Sequence, residues 1–312
     1  MRIVLTGASS FTGFWFARTL AEQGHAVVAP LSSAEELYKG VRAERLALLR
    51  DCCDLRYNLS FGSADFLSIV EAQSQIDVFC HHWSQVRNYR SPDFDAASAF
   101  VENTRGFLAL LALLSHRKCQ TIVLTGSIGE QREGLGPGQG AFSPYGLSKG
   151  LTSDFVAFHC ERSGMKFGKF VVPNPFGPYE DARFTHYLMG VWARGDVARV
   201  KNPDYVRDNI HVDLLARAYG AFVQRVIASP ASADRFSPSL YAETQGAFTL
   251  RVAREVRART GWDCGVMLET QSDFSEPMSR VNVDATQDIV PDWSEAAGWD
   301  AFVAYYRNRG AA

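Results

Sequence analysis

The chain has 312 residues, of which 46% are hydrophobic, and a formal net charge of −2 at pH 7. That length and apolar content suffice for a sizeable core in one or two domains. The near-neutral charge, without any run of like charge, disfavours nucleic acid and anionic membranes as partners. We therefore expect a protein that recognises its ligands locally.

The N-terminal segment MRIVLTGASS becomes polar after five residues, too soon for a signal peptide. We expect no later stretch to approach the ~18 apolar residues of a membrane span. The cysteines, at positions 52, 53, 80, 119, 160 and 264, form no C-x-x-C pair, and three of them fall within apolar runs. This pattern predicts reduced thiols rather than disulfides or a metal site, and therefore a soluble, cytoplasmic protein.

Apolar runs alternate with amphipathic stretches through the first half of the chain. The runs are RIVLTG, HAVVAPL, IDVFCHH, TIVLTGS and KFGKFVVPN, and FTGFWFARTLAEQG is the first helical pattern between them. Strands covered on both faces require such continuous runs, and their alternation with helices indicates a parallel sheet. The predicted fold class is α/β, with a Rossmann-type doubly wound parallel sheet in residues 1–172.

The regular alternation ends at Pro173. The proline-rich, loop-like segment NPFGPYEDARFT and the shorter mixed segments after it predict a smaller substrate-binding domain in residues 173–312. We expect this domain to pack against the carboxyl ends of the strands, where open α/β sheets bind ligands. The segment RDNIHVDLLARAYGAFV, residues 207–223, is typical of a strand followed by an amphipathic helix and is expected to return to the main sheet.

The stretch TGASSFTG joins the first strand to the first helix and is typical of a turn that binds the pyrophosphate of a dinucleotide. Gly7 is expected to make the tight turn, and Gly13 to let strand and helix approach. Ser10 stands where a middle glycine is expected, and a positive φ would be strained there. The predicted cofactor-binding residues of this turn are Gly7, Ser10, Phe11, Thr12 and Gly13.

The end of the second strand carries no acidic residue. In dinucleotide folds a carboxylate at this point binds the ribose diol and is incompatible with the 2′-phosphate of NADP. Here the strand ends in Leu31, Ser32 and Ser33, and the serine hydroxyls are able to bond a phosphate. The pattern favours NADP over NAD, although Arg42 or Arg45 would have to fold back to complete a phosphate site.

PYGLSKG places Tyr145 and Lys149 at i and i+4, on one face of a helix that is predicted to begin near Ser143 and Pro144. A lysine ammonium beside a phenol stabilises the phenolate and lowers the pKa of the tyrosine, which makes it a usable general acid or base. Ser127 ends the run TIVLTGS, where it is able to bond a substrate hydroxyl or carbonyl. These three residues are the predicted catalytic group.

Together these motifs resemble the extended short-chain dehydrogenases/reductases, the group of nucleotide-sugar epimerases, dehydratases and ketoreductases. The resemblance runs from TGASSFTG through RDNIHVDLLARAYG, about two thirds of the chain. It implies NADP or NAD as cofactor, with an aspartate that contacts adenine and an asparagine-bearing helix. Further cofactor-binding residues are predicted, from this resemblance and the strand-end serine, at Ser32, Asp54, Leu55, His82, Trp83, Asn103, Tyr145, Lys149 and Pro173.

The resemblance also implies a nucleotide-sugar substrate. VPNPFGP, with Asn174, resembles the loop that touches substrate phosphate, and YVRDNIHVD, with Arg207, resembles the segment whose arginine binds the nucleotide diphosphate. A guanidinium suits this role because its planar fork binds phosphate bidentately. The bulky Trp83 is expected to crowd the nicotinamide path. The departures from the family pattern in the cofactor cleft are Ser10, Leu31, Trp83 and Ser84.

The residues after Ser127 disfavour a dehydratase, which needs an acid and a base directly after the catalytic serine or threonine. Ile128 and Gly129 carry no proton, and Glu130, one register off, is as readily a solvated loop residue as a catalytic one. The missing strand-end acid favours a 4-ketoreductase using NADPH by a small margin, with an NAD-dependent 4-epimerase as the alternative. A non-catalytic NADP-binding sensor is the alternative from another class, and the intact catalytic group argues against it.

Two predicted long helices, residues 93–117 and 143–163, carry apolar residues that look exposed. Members of the family commonly pair such helices in a dimer, and we expect a homodimer. The residues are Phe94, Phe100, Phe155 and Phe158.

The adjacent histidines of HHW are a weak signal for a metal site. Neighbours on a strand point to opposite faces, so we expect no metal and assign His82 and Trp83 to a polar cleft wall.

Overall fold

The computed structural model describes residues 1–136 and 140–309. In chain order the strands are β1 (Arg2–Leu5), β2 (Ala26–Pro30), β3 (Cys53–Arg56), β4 (Val78–His81), β5 (Thr121–Ser127), β6 (Lys166–Val172), β7 (Asn174–Phe176), β8 (Ala198–Val200), β9 (Val206–His211), β10 (Ala233–Phe236), β11 (Pro238–Ser239), β12 (Tyr241–Thr244), β13 (Val266–Leu268), β14 (Ser279–Arg280) and β15 (Asp284–Ala285). The helices are α1 (Phe11–Glu22), α2 (Val41–Leu49), α3 (Ala64–Glu71), α4 (Ala96–Asn103), α5 (Phe107–His116), α6 (Pro144–Ser163), α7 (Phe184–Ala193), α8 (Val212–Ala228), α9 (Gln245–Thr260) and α10 (Glu295–Asn308).

The chain forms two compact units. The first consists of Met1–Glu133, Gly140–Val172 and Ala216–Phe236, and the second of Gly134–Gln139, Pro173–Leu215 and Ser237–Ala312, as far as these are described. The segment expected to return to the main sheet is divided: β9 pairs within the second unit, and α8 belongs to the first unit from Ala216 onward. A separate role for each unit stays a prediction.

A seven-stranded parallel sheet forms the centre of the first unit's described residues. Its order is β3-β2-β1-β4-β5-β6-β10, with every neighbouring pair parallel. The strand order reverses between β1 and β4, and ligands of open α/β sheets bind at the carboxyl ends of such a pair. The prediction of a Rossmann-type, doubly wound fold is confirmed.

Helices cover both faces of this sheet. On one face, side chains of α3, α5 and α6 share a buried cluster with the sheet residues Val4, Phe79 and Ile122. On the other face Phe16 of α1 stacks on Tyr219 of α8, with 4.0 Å between ring centroids. Burial from both sides is the reason that the five inner strands are continuous apolar runs, whereas the edge strands β3 and β10 are more polar.

The helix predicted over residues 93–117 is broken. Gly106 adopts a φ of +61° and separates α4 from α5, because that backbone conformation cannot continue an α-helix. The stretch Ala96–His116 is long and apolar enough to cross a membrane, judged by length and composition only. The expectation that no stretch of the chain is that long and apolar was therefore wrong. Its second half packs in the buried cluster of the first unit through Phe107 and Leu110.

The phenylalanines singled out on these helices differ in exposure. Phe94 is only 9% exposed, so the expectation that it lies on the surface was wrong. Phe100 and Phe155 are half-buried against each other, with ring centroids 5.8 Å apart. Phe158 is 52% exposed.

The second unit has a mixed sheet around β9. Strand β12 pairs with β9 antiparallel, while β7 and β14 pair with it parallel. Two short parallel pairs, β11 with β15 and β13 with β8, complete the strands described here. The unit has its own aromatic core, in which Phe176 lies 5.4 Å from Trp299 between ring centroids.

Candidate active site

The glycine turn follows β1 directly. Gly7 adopts a φ of +78°, which favours glycine, and a Cβ at position 13 would lie 2.2 Å from the Gly7 carbonyl oxygen. A Cβ at position 7 would lie 3.0 Å from the backbone nitrogen of Trp83. Both glycines are needed for this close approach, and the cradle that they leave fits the pyrophosphate of a dinucleotide.

Ser10 lacks the strain expected at the middle of the turn. Its φ is −73°, and it is the N-cap of α1, where its hydroxyl accepts a hydrogen bond from the Gly13 N–H at 3.1 Å and lies 2.9 Å from the Gly7 carbonyl. A helix N-cap takes extended backbone dihedrals, so no positive φ is required. The first N–H groups of a helix lack intrahelical acceptors, so those of Phe11 and Thr12 stay the predicted phosphate ligands.

The imidazole of His82 lies against the same turn. Its Nε2 is 3.0 Å from the hydroxyl oxygen of Ser10 and 3.2 Å from that of Thr12. Burial, with smaller contributions from Lys149 and His81, lowers the pKa of His82 to about 3, so the ring is neutral at physiological pH. A neutral, hydrogen-bonded ring closes one side of the turn without adding charge to it.

Asn103 is fully buried and joins two parts of the site. Its Oδ1 accepts a hydrogen bond from the Gln85 N–H at 2.8 Å, and its Nδ2 donates to the Thr152 hydroxyl at 3.2 Å. Its carbonyl lies 3.2 Å from Nε2 of His81. These bonds connect the loop after β4 with α6, so the geometry assigns Asn103 a positioning role. Direct contact with a cofactor stays a prediction.

Trp83 contacts the core rather than the glycine turn with its ring. The indole stacks on Phe61, with 5.8 Å between centroids, while the Trp83 N–H donates to the Thr6 hydroxyl at 2.9 Å. The expected crowding of the nicotinamide path stays a prediction.

The two histidines of HHW face different surroundings, and they are not part of a metal cluster. In the described residues no group of three or more His, Cys, Asp or Glu side chains is arranged to hold a metal ion. The six cysteines, all within that part of the chain, are free thiols.

The residues that follow β2 include no carboxylate beside the glycine turn, as the sequence indicated. Leu31 is buried and Ser32 is exposed. Arg45 of α2 folds back onto the glycine turn, where its guanidinium donates to the Ser9 carbonyl at 3.2 Å and lies 5.7 Å from the ring centroid of Phe11. A buried cation therefore stands beside the turn, and no carboxylate ends the strand.

The neighbouring strand β3 carries Asp54 and Leu55. The Asp54 carboxylate is exposed and forms an ion pair of 2.8 Å with Arg56. An adenine contact at these residues stays a prediction.

Ser127 is the last residue of β5, at the carboxyl edge of the parallel sheet. Its N–H donates to Oε1 of Glu130 at 2.7 Å, and its hydroxyl oxygen accepts from the Gly129 N–H at 3.2 Å. The turn after the strand is therefore tied to the serine at both its backbone and its side chain.

Helix α6 begins as predicted, with Ser143 as N-cap and Pro144 in the first turn. Lys149 is 4% exposed, and its ammonium donates to the carbonyl of Thr125 at 2.5 Å. Thr125 lies two residues before Ser127, so both side chains leave the same face of β5. Tyr145 stands one turn before Lys149 on the same face of α6, and the adjacent Gly146 packs against the Gly129 carbonyl in the loop that follows Ser127. Ser127, Tyr145 and Lys149 are here called the Ser-Tyr-Lys corner.

The surroundings of Lys149 and Tyr145 differ. Burial lowers the pKa of Lys149 to about 8, against the opposing charge of Glu130. The Tyr145 ring lies 5.3 Å from that of Tyr89 and 5.9 Å from that of Phe94, centroid to centroid. Two aromatic rings thus cover part of the Tyr145 phenol, one helical turn before the buried Lys149.

Glu130 is neither solvated nor open to a substrate. It is 0% exposed and pairs with Lys169 at 2.7 Å, so the surface-loop alternative was wrong. The local sequence GEQREG is polar and gives no sign of this burial. The Glu130 charge is buried beside the ammonium of Lys169, which is distant in the chain and compensates it.

The second unit contains Pro173, Asn174 and Arg207. Asn174 begins β7 beside Asn209 of β9, directly after the buried Pro173. Arg207 donates to the Pro277 carbonyl at 3.0 Å and pairs with a glutamate of the same loop. These residues are the predicted substrate and cofactor contacts of this unit.

Sequence reasoning missed Arg280. It is 1% exposed and pairs in register with Arg207 on the neighbouring parallel strand. Burial and the charge of Arg207 lower the pKa of Arg280. Two neighbouring guanidiniums, of which that of Arg207 is also paired with Glu276, suit a phosphate group. No local motif marks Arg280; its signal is the strand register alone.

Solved structures with the same fold cover nearly the whole chain. A UDP-glucose 4-epimerase from Thermotoga maritima, solved with UDP-glucose, has a TM-score of 0.76 at 19% identity, with 99% of each chain covered. A UDP-glucuronic acid 4-epimerase from Bacillus cereus, in complex with UDP-glucuronic acid and NAD, has a TM-score of 0.73 at 14% identity, covering 99% of this chain and 100% of that one. A UDP-glucose 4-epimerase from Bifidobacterium longum, in complex with NAD+ and UDP, has a TM-score of 0.74 at 16% identity, with 100% of each chain covered.

No curated protein matches the sequence. The NAD dependent epimerase/dehydratase family matches it over residues 3–233, well over half of the chain. That match agrees with the glycine turn and the sheet order. The chain belongs to the NAD-dependent epimerase/dehydratase family, and is an NAD(P)-dependent enzyme of the extended short-chain dehydrogenase/reductase type.

Proposed function

We propose that the protein is a nucleotide-sugar 4-epimerase, which oxidises the sugar hydroxyl at C4 and reduces the resulting ketone again on the opposite face. The observation on which the proposal depends is the hydrogen bond from the Lys149 ammonium to the Thr125 carbonyl, which holds Lys149 near Ser127, two residues further along β5. Solved proteins of this fold that are named as UDP-sugar 4-epimerases support it.

In this proposal Tyr145 is the acid and base. Its phenolate takes the proton of the sugar hydroxyl and later returns it, because the cationic Lys149 stabilises the phenolate form. Ser127 bonds the same sugar oxygen and keeps it oriented. Hydride transfer is the chemistry that the dinucleotide supplies when bound.

The substrate in this proposal is a nucleoside-diphosphate sugar. Arg207 and Arg280 stand side by side on one sheet, and a diphosphate would accept charge-assisted hydrogen bonds from both. Asn174 is assigned to the same ligand. The positions of these residues support binding of the diphosphate part of the substrate. The identity of the sugar is a question for the turnover assay below.

For the cofactor, we propose that the site accepts NADP as well as NAD. No carboxylate at the end of β2 repels a 2′-phosphate, and Arg45 brings a cation to the Ser9 carbonyl. The solved relatives in complex with NAD support the other choice.

A 4-ketoreductase using NADPH is the second candidate, favoured by that Arg45 contact. The same three catalytic residues serve a single reduction, in which Tyr145 gives its proton once. A reductase exchanges its dinucleotide with solvent at each turnover, whereas an epimerase recovers the oxidised form and has no need to release it.

One experiment separates these functions. The purified protein is denatured and any retained dinucleotide identified by mass spectrometry, and the native protein is incubated with UDP-glucose, UDP-N-acetylglucosamine and UDP-glucuronic acid. We expect retained NAD(P) and a C4 epimer visible by NMR without added cofactor. NADPH consumption with a 4-keto sugar and no epimer would favour the reductase. Cofactor binding without either turnover would leave a non-catalytic sensor.

A cytoplasmic homodimer is the assembly that we propose. Support comes from the exposed apolar side chains of Val101, Leu108 and Phe158, which lie on α4, α5 and α6. Light scattering of the purified chain measures its mass, and a monomer at micromolar concentration would contradict the proposal.

A further inference from the structure

The segment that follows the catalytic serine, residues 127–133, is here called the serine loop. It is tied to both of its neighbours by backbone hydrogen bonds. The Ile128 N–H donates to the Val172 carbonyl of β6 at 3.0 Å, and the Gly129 carbonyl accepts from the Phe142 N–H at 3.0 Å. The loop thus continues the sheet on one side and meets the start of α6 on the other.

Helix α6 accepts the serine loop at two glycines. A Cβ at Gly146 would lie 2.1 Å from the Gly129 carbonyl oxygen, and a Cβ at Gly150 would lie 2.1 Å from Oε1 of Gln131. Each of these helix glycines directly follows one of the two catalytic candidates of α6. Any displacement of the loop therefore acts on the part of the helix that carries the catalytic side chains.

A buried chain of charges fixes the other side of the loop. Oε1 of Glu130 accepts the Ser127 N–H, and its Oε2 lies 2.7 Å from the Lys169 ammonium. Lys169 also lies 2.7 Å from Glu133, which pairs with Arg235 at 2.6 Å. Two acids alternate with two bases, from the serine loop across β6 to the outer strand β10.

Residue 126 leaves the space for this pair. A Cβ at Gly126 would lie 2.8 Å from Cε of Lys169 and 3.1 Å from Oε1 of Glu130. Buried ion pairs are seldom more stabilising than apolar residues of the same volume, because both charges lose their hydration. The arrangement therefore needs a reason other than stability, and its direct bond to the catalytic serine supplies one.

The charge of Glu130 also reaches the catalytic lysine. Burial lowers the pKa of Lys149, Lys169 lowers it further, and the Glu130 carboxylate raises it. Tyr145 shares the helix face of Lys149, and the pKa values of His81 and His82, about 3, leave both rings neutral at physiological pH. Glu130 is thus a buried negative charge that opposes deprotonation of Lys149.

We propose that Glu130 is a positioning residue for catalysis: its carboxylate, held by Lys169, fixes the backbone of Ser127 against α6 and keeps Lys149 cationic. The proposal rests on the proposed function, because it assigns the role to the same Ser-Tyr-Lys corner. Glu130 itself does not touch substrate.

The test compares two substitutions with a matched control. Glu130→Gln keeps an acceptor for the Ser127 N–H and removes the charge, whereas Glu130→Leu removes both. Glu255→Gln removes a carboxylate from ion pairs with Arg254 and Arg259 on α9 in the second unit. The measurements are kcat and KM across pH for C4 turnover, and hydrogen exchange of the peptide that covers residues 127–133.

For Glu130→Gln we expect the alkaline limb of kcat to move to lower pH, because Lys149 loses its proton more easily. For Glu130→Leu we expect a fall in kcat of up to about 100-fold with KM within about threefold, since misplacement by ~1 Å has that effect. Faster exchange in residues 127–133 is expected for Glu130→Leu, and no change in the control. If Glu130→Leu does not fold, the same measurements are made on two other variants. These are Glu130→Gln and the double variant Glu130→Gln with Lys169→Met.

Unchanged pH limbs and unchanged kcat would overturn the proposal. A uniform fall in kcat at every pH, matched by faster exchange throughout the first unit, would also overturn it, because it would show a merely structural role. Failure of the proposed function looks different: wild type would turn over no nucleotide sugar, while the exchange difference confined to residues 127–133 would still appear.

Discussion

Arg280 and Arg207 lie side by side in register on parallel strands, both largely buried, with like charges. Arg207 already pairs with Glu276 at 2.7 Å, and a bound diphosphate would add charge-assisted hydrogen bonds to both guanidiniums. We expect Arg280→Gln to weaken UDP binding by roughly 10- to 100-fold, the equivalent of losing about 1.5–3 kcal/mol of charged hydrogen bonding. Isothermal titration calorimetry with UDP measures this.

The control for that substitution is Arg254→Gln, which changes an exposed arginine paired with Glu255 in the same unit. It should leave UDP affinity unchanged. Equal weakening in both variants would contradict a phosphate role for Arg280.

Tyr145→Phe removes only the hydroxyl oxygen. We expect a fall in kcat of about 10²- to 10⁴-fold, as is usual when a general acid or base is lost. Dinucleotide affinity, measured by fluorescence titration, should stay within about twofold, because the ring contacts with Tyr89 and Phe94 remain. Turnover near the wild-type value would refute the assigned role.

The pKa of Lys149, lowered by burial to about 8, predicts a pH dependence. The residue is cationic below that pKa and neutral above it, and only the cation stabilises a phenolate. We therefore expect kcat to fall as pH rises through about 8. Lys149→Met should show low activity at all pH values and no such limb. Lys201→Met, at an exposed position of the second unit, serves as the control and should keep the wild-type profile.

Arg45 is expected to set the relative affinity for the two dinucleotides. Arg45→Ala removes the cation that stands at the Ser9 carbonyl, so NADP should lose about tenfold more affinity than NAD, the equivalent of one charged contact. Arg42→Ala changes an exposed arginine on the same helix and should alter neither. Equal losses for both dinucleotides in Arg45→Ala would show that the residue only supports the turn.

Glu180 is a buried carboxyl of the second unit that accepts hydrogen bonds from Thr185 and Tyr306, each at 2.5 Å. Burial raises the pKa of Glu180 to about 7, so the folded state binds a proton that the unfolded state releases above about 4.5. Stability should therefore fall as pH rises from about 4.5 to about 7. Glu180→Gln should remove this dependence and, above pH 7, stabilise by at most about 3 kcal/mol. Thermal melts at pH 5 and pH 8 measure the difference; a wild-type melting temperature equal to that of the variant at both pH values would contradict it.

Much of the first unit could be predicted because its signals are local. The apolar runs predicted β1, β2, β4, β5 and β6, but not the more polar edge strands β3 and β10. PYGLSKG predicted both the start of α6 and the shared face of Tyr145 and Lys149. The glycine turn was located, but the backbone of Ser10 was not, because its N-cap geometry depends on where α1 begins. The sequence also could not show that Gly106 breaks the helix before α5, since a glycine within an apolar run is often helical.

The remaining site residues were decided by contacts between distant parts of the chain. From the sequence alone Glu130 is predicted to be a loop residue, and the structure pairs it with Lys169 of β6. Arg45 is likewise typical of a surface arginine, and the structure packs it on the glycine turn. Arg280 has no motif at all.

The sequence by itself determined the class of fold, the place of the glycine turn and the spacing of the catalytic pair, because these depend on residues a few positions apart. Only the tertiary structure decided which charges are buried together. Strand register and helix packing join residues 39 positions apart, as with Glu130 and Lys169, or 73 apart, as with Arg207 and Arg280. A buried charge is tolerated only beside its partner or its ligand, and no local pattern records that neighbour.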